Sequence, residues 1–467
     1  MTGSETPLMI ASAMGGRTSD SAEQEVPAVN DDAIRISQHV LDNGLRVVAV
    51  EQPFLHAADV SFFVRCGSRH EGTQEWGLSH FLEHMLFRGS HRFPTGYDLA
   101  CAFERRGANL NAATWRDHTH LETTAHPSTV GTILELLGDM VTHPRFDGIG
   151  VERNIIEEEI QGELDEAGED VDLNNVSRAS IWRGHAMGRR ITGSIESVYG
   201  LHLEDIQRHH ERYYVAQNAV LCVAGRIEPD DVFRLAAEAF RDLRPGEAAA
   251  DGEAARFSPD ARLTLRDSEG SQTSVALTFE ALPDPHDHFV ALELVTRVLD
   301  DGLGSRLHQN VCERRGLVYD LSTGLDCYAD CGLYDIELTV APHRAASAVA
   351  VTLETLEDLC ENGVSEEELE LVRERSLHEI EYSLDSAQEL SAHFGTAALF
   401  REVEPLAEQA AKIREMGRGD LLAVARDIFH SGRVHGTLIG PLERTNAERI
   451  ERLIDSFAGD VMYSADE

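Results

Sequence analysis

His80, Glu83 and His84 form an H-x-x-E-H constellation inside the stretch WGLSHFLEHMLFRG, residues 76–89. Residues of these types at this spacing can hold a metal and move a proton. At about 100° per residue on a helix, setting His80 at zero puts His84 at roughly 40° and Glu83 at roughly 300°, so the three share one face. Leu78, Phe81, Leu82, Met85 and Leu86 recur at the i, i+3, i+4, i+7, i+8 spacing and centre on the opposite face. One side is thereby committed to a core while the other presents polar groups. Neutral imidazole suits zinc, and a catalytic zinc normally keeps three protein ligands and one open position for water. The motif supplies two ligands, and Glu83 stands within reach as the base for the attacking water. A solvated amphipathic helix would account for a lone histidine. All three residues opposite an apolar stripe point instead to a metal hydrolase.

A third ligand has to come from elsewhere in the chain. Residues 149–167 read as a helix dense in acids: Glu152, Glu157, Glu158, Glu159 and Glu163. Most acids on such a helix form a solvated face, and spacing does not choose among these five. Glu152 and Glu159, seven apart, project from the same side, which suits a ligand together with a residue supporting a ligand. His118 and His120 point the same way on a strand, yet no carboxylate base accompanies them, and they read as a half-exposed sheet face. Cys327 and Cys331, without a second pair, read as buried free thiols. The glycines of DGLGS at 301–305 are too few for a phosphate loop and read as a turn.

The elements that must position these residues follow in order. Residues 34–52 hold two alternating apolar runs around Asn43-Gly44, a hairpin signal. A strand over 58–64 precedes the metal helix, and a helix carrying Leu99, Ala102 and Phe103 on one side runs to Gly107. Strands follow within 107–125, helices over 129–142 and 149–167, a helix to about Tyr214, a strand over 218–224 and a helix over 230–241. Residues 245–259, rich in Ala, Gly, Glu and Pro without an apolar period, read as a linker. The second half then repeats the order of the first. A strand over 273–279 leads to a helix over 288–299, which takes the place of the metal helix without its motif, so the chain reads as an internal repeat with one metallated copy.

A chain of 467 residues suggests two to four domains, and its 42% hydrophobic and 26% charged fractions are those of a soluble globular protein. Acids outnumber bases 82 to 41, a net charge of −41 that disfavours nucleic acid as a partner. No stretch reads as a membrane span. Seven widely spread cysteines are not a disulfide framework. Residues 1–33 contain Arg17 as their only basic residue and fit neither a secretory signal nor a mitochondrial presequence, so a disordered tail and a cytoplasmic protein are expected.

Taken together, GSRHEGTQEWGLSHFLEHMLFRG, GANLNAATWRDHTH, ERNIIEEEI and ERRGLVY resemble the M16 metallopeptidases, over about residues 34–460. The resemblance implies an α+β fold of two tandem similar domains, each a mixed or antiparallel sheet flanked by helices. The metal-bearing domain would span 34–244, the linker 245–260, and a second domain lacking the zinc motif 261–467. It also implies a zinc-dependent endopeptidase that cleaves peptides or unfolded segments inside a chamber made by two such chains. In that family the third ligand is the last Glu of an E-x-x-x-x-x-x-E stretch, which falls on Glu159, with Glu152 supporting a ligand histidine. Asn111 and Ala112 would lie on an edge strand that pairs with an extended substrate. The family's R-E-x-x-G-L-x-Y, which holds the substrate carbonyl and its oxyanion, reads Cys312 to Tyr319 here: Tyr319 is kept and Cys312 replaces the arginine. A cysteine supplies no fixed cation, and one lost oxyanion donor costs about a hundredfold or more in rate. The resemblance therefore favours a heterodimer whose other M16-type subunit brings the arginine, over a homodimer in which Arg306, Arg314 or Arg315 substitutes. The competing class is a non-catalytic scaffold subunit, against which the intact motif stands.

Overall fold

The structure, a computed structural model, describes residues 34–258, 262–441 and 443–457, so the expected tail over 1–33 lies outside the described residues. The first half contains β1 (Arg35–Val40), β2 (Arg46–Glu51), β3 (Ala58–Val64), α1 (Leu78–Leu86), α2 (Gly96–Glu104), β4 (Asn111–Thr114) and β5 (Thr119–Ala125). It continues through α3 (Val130–Thr142), α4 (Ile149–Gly162), α5 (Leu173–Ile181), α6 (Ile195–Gly200), α7 (Leu203–Tyr213), β6 (Ala219–Gly225) and α8 (Pro229–Ala239). The second half contains β7 (Leu263–Arg266), β8 (Thr273–Ala281), α9 (Phe289–Leu299), β9 (Val318–Cys327), β10 (Gly332–Val340) and α10 (Ala345–Asn362). It ends with α11 (Glu366–Ser383), α12 (Ala387–Phe400), α13 (Leu406–Glu415), α14 (Arg418–Ile428), β11 (Val434–Ile439) and α15 (Arg444–Ser456).

The internal repeat is exact at the level of strand order. The first sheet runs β1-β2-β6-β3-β5-β4 and the second β7-β11-β8-β10-β9. Dropping β1, each sheet has one parallel pair, β2 with β6 or β7 with β11, followed by three antiparallel pairs. Helix α9 follows β8 as α1 follows β3.

Alternation along each strand sends side chains to two different cores. Val60, Phe62 and Val64 of β3 join a core with Phe81 and Leu82 of α1 and with α3, whereas Phe63 points to the other side and packs with Leu390 and Phe394 of α12. Phe62 and Phe63 are fully buried, each worth about 1.5–3 kcal/mol relative to exposure. Helix α12 thus belongs in sequence to the second half and in packing to the first sheet. Helix α5 makes the reverse crossing, with Ser177 and Ser180 bonded to Thr278 and Thr264 of the second sheet. Arg178 of α5, fully buried, donates to both Asp335 and Asp326. The halves therefore exchange one helix each and cannot separate without exposing both sheets.

Two local readings change in the folded chain. The stretch after residue 245, read as a linker, is strapped to the body: Asp251 pairs with Arg65, and Ala255 is buried with Trp182 and Tyr328. The face carrying His118 and His120 is not half-exposed, because α12 covers that side of the sheet; His120 stacks on Phe63 at 4.1 Å and His118 meets Phe400 edge-on. A carboxylate does accompany His118, with Asp117 Oδ1 2.7 Å from its Nδ1. Among the described residues all seven cysteines are free, and no helix is long and apolar enough to cross a membrane.

Candidate metal centre

Helix α1 begins where the sequence can afford a sharp entry. Gly77 sits at φ 87°, and a Cβ there would lie 2.8 Å from Thr192 O and 2.9 Å from Gly193 Cα, so only glycine admits both the turn and the chain crossing over it. The Glu71 carboxylate accepts from the amides of Gly77 and Ser79 at 2.8 and 2.7 Å, capping the positive end of the helix. Burial pushes that carboxyl up to about 8, against the pull of the two amides. Leu78, Phe81, Leu82, Met85 and Leu86 are all fully buried, as the apolar stripe predicts. The opposite face meets α4 and β4.

On that face His80, His84 and Glu159 converge, with a ligand atom from each lying within 4.8 Å of the others. Glu159 Oε2 is 3.7 Å from His80 Nε2 and 3.6 Å from His84 Nε2. A tetrahedral zinc with bonds of about 2.1 Å sets its ligand atoms about 3.4 Å apart, so the donor set and its spacing fit zinc. Of the five acids left open by spacing, geometry brings Glu159 to the histidines. Glu157 instead takes the Tyr199 hydroxyl at 2.6 Å, Glu163 takes Asn175 and Thr192, and Glu158 is exposed. Glu152, buried on the same side of α4, has Oε2 3.1 Å from His84 Nδ1 and accepts from Arg88 through Oε1 at 3.1 Å. That bond occupies Nδ1 of His84 and leaves Nε2 facing Glu159.

The protonation balance matches these contacts. Burial, with the charge of His84, takes His80 down to about 3, so it stays neutral. Burial also works against charge on His84, but the Glu152 hydrogen bond and the neighbouring carboxylates outweigh it and hold His84 above its ordinary value. Burial raises Glu83, partly offset by a hydrogen bond from the Thr114 hydroxyl to Glu83 Oε2 at 2.6 Å. Sequence reasoning missed Thr114 and Glu71. Thr114 could have been found as the residue two beyond Ala112 on the same strand face.

Strand β4 is the edge of its sheet and pairs with β5 alone among the described strands. Asn111 is exposed and Ala112 half-buried. Clefts of about 330 and 750 Å³ flank the motif, with Glu83 and Ala112 lining both, so a groove passes along β4 beneath the candidate ligands. Tyr319 lies elsewhere, on β9 in the second half, 85% exposed. Cys312 sits in a π-helical stretch, His308–Glu313, packed at the edge of the second core. Arg306 is held by Glu368 and Asp358, while among the described residues the side chains of Arg314 and Arg315 bond to Asn310 alone.

Residues 46–194 match the family model for insulinase (peptidase family M16), and residues 200–376 match that for the peptidase M16 inactive domain. An uncharacterized zinc protease of Mycobacterium tuberculosis is 31% identical over 425 residues, covering 89% of this chain and 95% of that one. The mitochondrial-processing peptidase subunit beta of Dictyostelium discoideum is 27% identical over 86% of this chain and 88% of its own. Among solved structures, a protease from Helicobacter pylori superposes with a TM-score of 0.81 at 20% identity, over 88% of this chain and 100% of that one, a likeness of fold.

Proposed function

We propose, from the premise that the chain belongs to the M16 peptidase family, that it is a zinc-dependent endopeptidase in which Glu83 is the general base. The observation that carries this reading is the convergence of His80, His84 and Glu159 beside the Glu83 carboxylate. When bound, zinc supplies a Lewis acid that polarises a peptide carbonyl and acidifies water. His80, His84 and Glu159 would hold it, with Glu152 fixing the ring of His84.

The protein groups account for the remaining work. An extended peptide adds to the open edge of β4 at Asn111 and Ala112, which sets its scissile bond beside Glu83. Glu83 takes the proton of the attacking water and passes it to the leaving amine. Burial raises its carboxyl toward the working pH, and the Thr114 hydroxyl fixes its orientation. The resemblance assigns Tyr319, on the second half of the chain, to the developing oxyanion. Cys312 brings no cation to that position, and Arg306 is consumed by two carboxylates. This favours a heterodimer in which another M16-type subunit supplies the arginine, with peptides or unfolded segments as substrates.

The test is zinc analysis of the purified chain together with cleavage of an unfolded polypeptide, alone and with its co-purifying partner, before and after chelation. One zinc per chain and chelator-sensitive cleavage that rises with the partner are expected. A chain without stoichiometric zinc is a scaffold subunit, and cleavage unchanged by any partner removes the heterodimer.

A further inference from the structure

A separate cavity of about 460 Å³ lies in the second half between α9, α11, α12 and α13. Its place in the repeat is the place of the metal centre. Matching the buried positions of the two helices sets Leu78, Phe81, Leu82, Met85 and Leu86 of α1 against Ala291, Leu294, Val295, Val298 and Leu299 of α9. Glu293 then stands where His80 stands, Thr296 where Glu83 does, and Arg297 where His84 does. Arg297 makes a two-pronged contact with Glu379 on α11, the helix that stands to α9 as α4 stands to α1. The metal-ligating face has thus been rewritten with an ion pair and a leftover carboxylate.

The charges around this cavity do not cancel. Arg297 is engaged by Glu379 and Asp301, Arg401 by Asp284, and Lys412 by Glu404. Glu293 makes no hydrogen bond or ion pair among the described residues; Arg297 and Arg401 act on it only through space. Glu293 is exposed and opens onto the cavity; the desolvation its surroundings impose, with the charge of Asp284, pushes its carboxyl up to about 7. His393, 3.0 Å from the Gln409 amide nitrogen, is kept below its ordinary value by burial and Arg401 and offers no compensating charge. Phe289, Leu390 and Leu406 provide apolar wall.

We propose that this cavity binds a small organic cation, a primary amine or guanidinium on an apolar stem, with Glu293 as its counter-ion. The volume lies within the range of about 300–1,000 Å³ found for small-molecule sites. A carboxylate that opens onto the cavity without a cation of its own is the group such a ligand would pair with. A metal ion is disfavoured, because two guanidinium groups line the same space and neither can ligate it. A bound molecule would touch α9 on one side and α12 on the other, and α12 lies on the first sheet, so occupancy would brace the two halves together.

The experiment is calorimetric titration of the zinc-loaded full chain with 2-phenylethylamine and with its neutral counterpart 2-phenylethanol, repeated on Glu293→Gln. The amine should bind at least tenfold more tightly than the alcohol, and that preference should vanish in Glu293→Gln. Absence of amine binding, equal affinity for the alcohol, or a preference that survives Glu293→Gln overturns the proposal. A crystal structure of the unmutated chain with 2-phenylethylamine gives a readout independent of the variant's folding. The nitrogen is expected against the Glu293 carboxylate, and a nitrogen anywhere else, the metal centre included, also overturns it.

Discussion

Replacing Glu152 by Gln should weaken zinc binding without touching a ligand. Glu152 is buried, with one oxygen 3.1 Å from His84 Nδ1 and the other 3.1 Å from an Arg88 guanidinium nitrogen. Glutamine keeps the shape but has one acceptor where the carboxylate has two, so either His84 or Arg88 loses its partner. The negative charge that makes His84 a stronger ligand is lost in both cases. Losses of this kind cost about 10- to 100-fold in metal affinity, or about 1.4–2.8 kcal/mol at about 1.4 kcal/mol per tenfold. Zinc competition against a chromogenic chelator measures it. The metal-free chain gives a second readout, because His84 is held above its ordinary value. A raised histidine contributes fully below about pH 6.5 and loses its contribution as the pH rises through the folded value. Metal-free Glu152→Gln should therefore be destabilised more at pH 6 than at pH 8. A zinc affinity within twofold of the unmutated chain would refute the reasoning.

Three further outcomes follow from the packing. A Cβ at Gly395 would lie 2.1 Å from the Phe63 ring, so Gly395→Ala should lift α12 from the first sheet and cost about 1–3 kcal/mol in urea unfolding, despite its better helix propensity. Arg178→Met leaves Asp335 and Asp326 without their cation and should cost about 3–5 kcal/mol; Arg178→Met combined with Asp335→Leu should recover part of it, and no recovery counts against the buried pair. His210 donates to Val141 O and is lowered to about 4, chiefly by burial. Its depressed value means that stability is lost as pH falls from about 6.5 to about 4, by about 1.4 kcal/mol per pH unit. His210→Gln, which keeps a donor, should lower the measured slope by about 1.4 kcal/mol per pH unit in that window, the buried His80, His120 and His209 keeping theirs.

The metal face of α1 was legible because helical periodicity fixes which side chains share a side, and the buried stripe from Leu78 to Leu86 obeys it. The sheets were legible from alternation, which places β3 correctly but does not say what covers each face. Phe63 and His120 reside under α12, a helix more than 260 residues away in sequence, and no local pattern reports such a crossing. The acids of α4 show the same limit. A helix wheel puts Glu152 and Glu159 on one side, but only the packing of α4 on α1 separates the residue that bonds Nδ1 of His84 from the one that faces both Nε2 atoms. Strand alternation puts Thr114 on the face of Ala112, but that it reaches Glu83 on α1 shows only once β4 and α1 are packed together.

The most direct test of the account is Glu83→Gln, since Gln keeps the volume and the Thr114 contact but cannot take a proton. Zinc content and peptide cleavage are measured on the same preparation, with the partner subunit present. The account predicts unchanged zinc and cleavage reduced by about 10²–10⁴-fold. Undiminished cleavage by zinc-replete Glu83→Gln protein would contradict it.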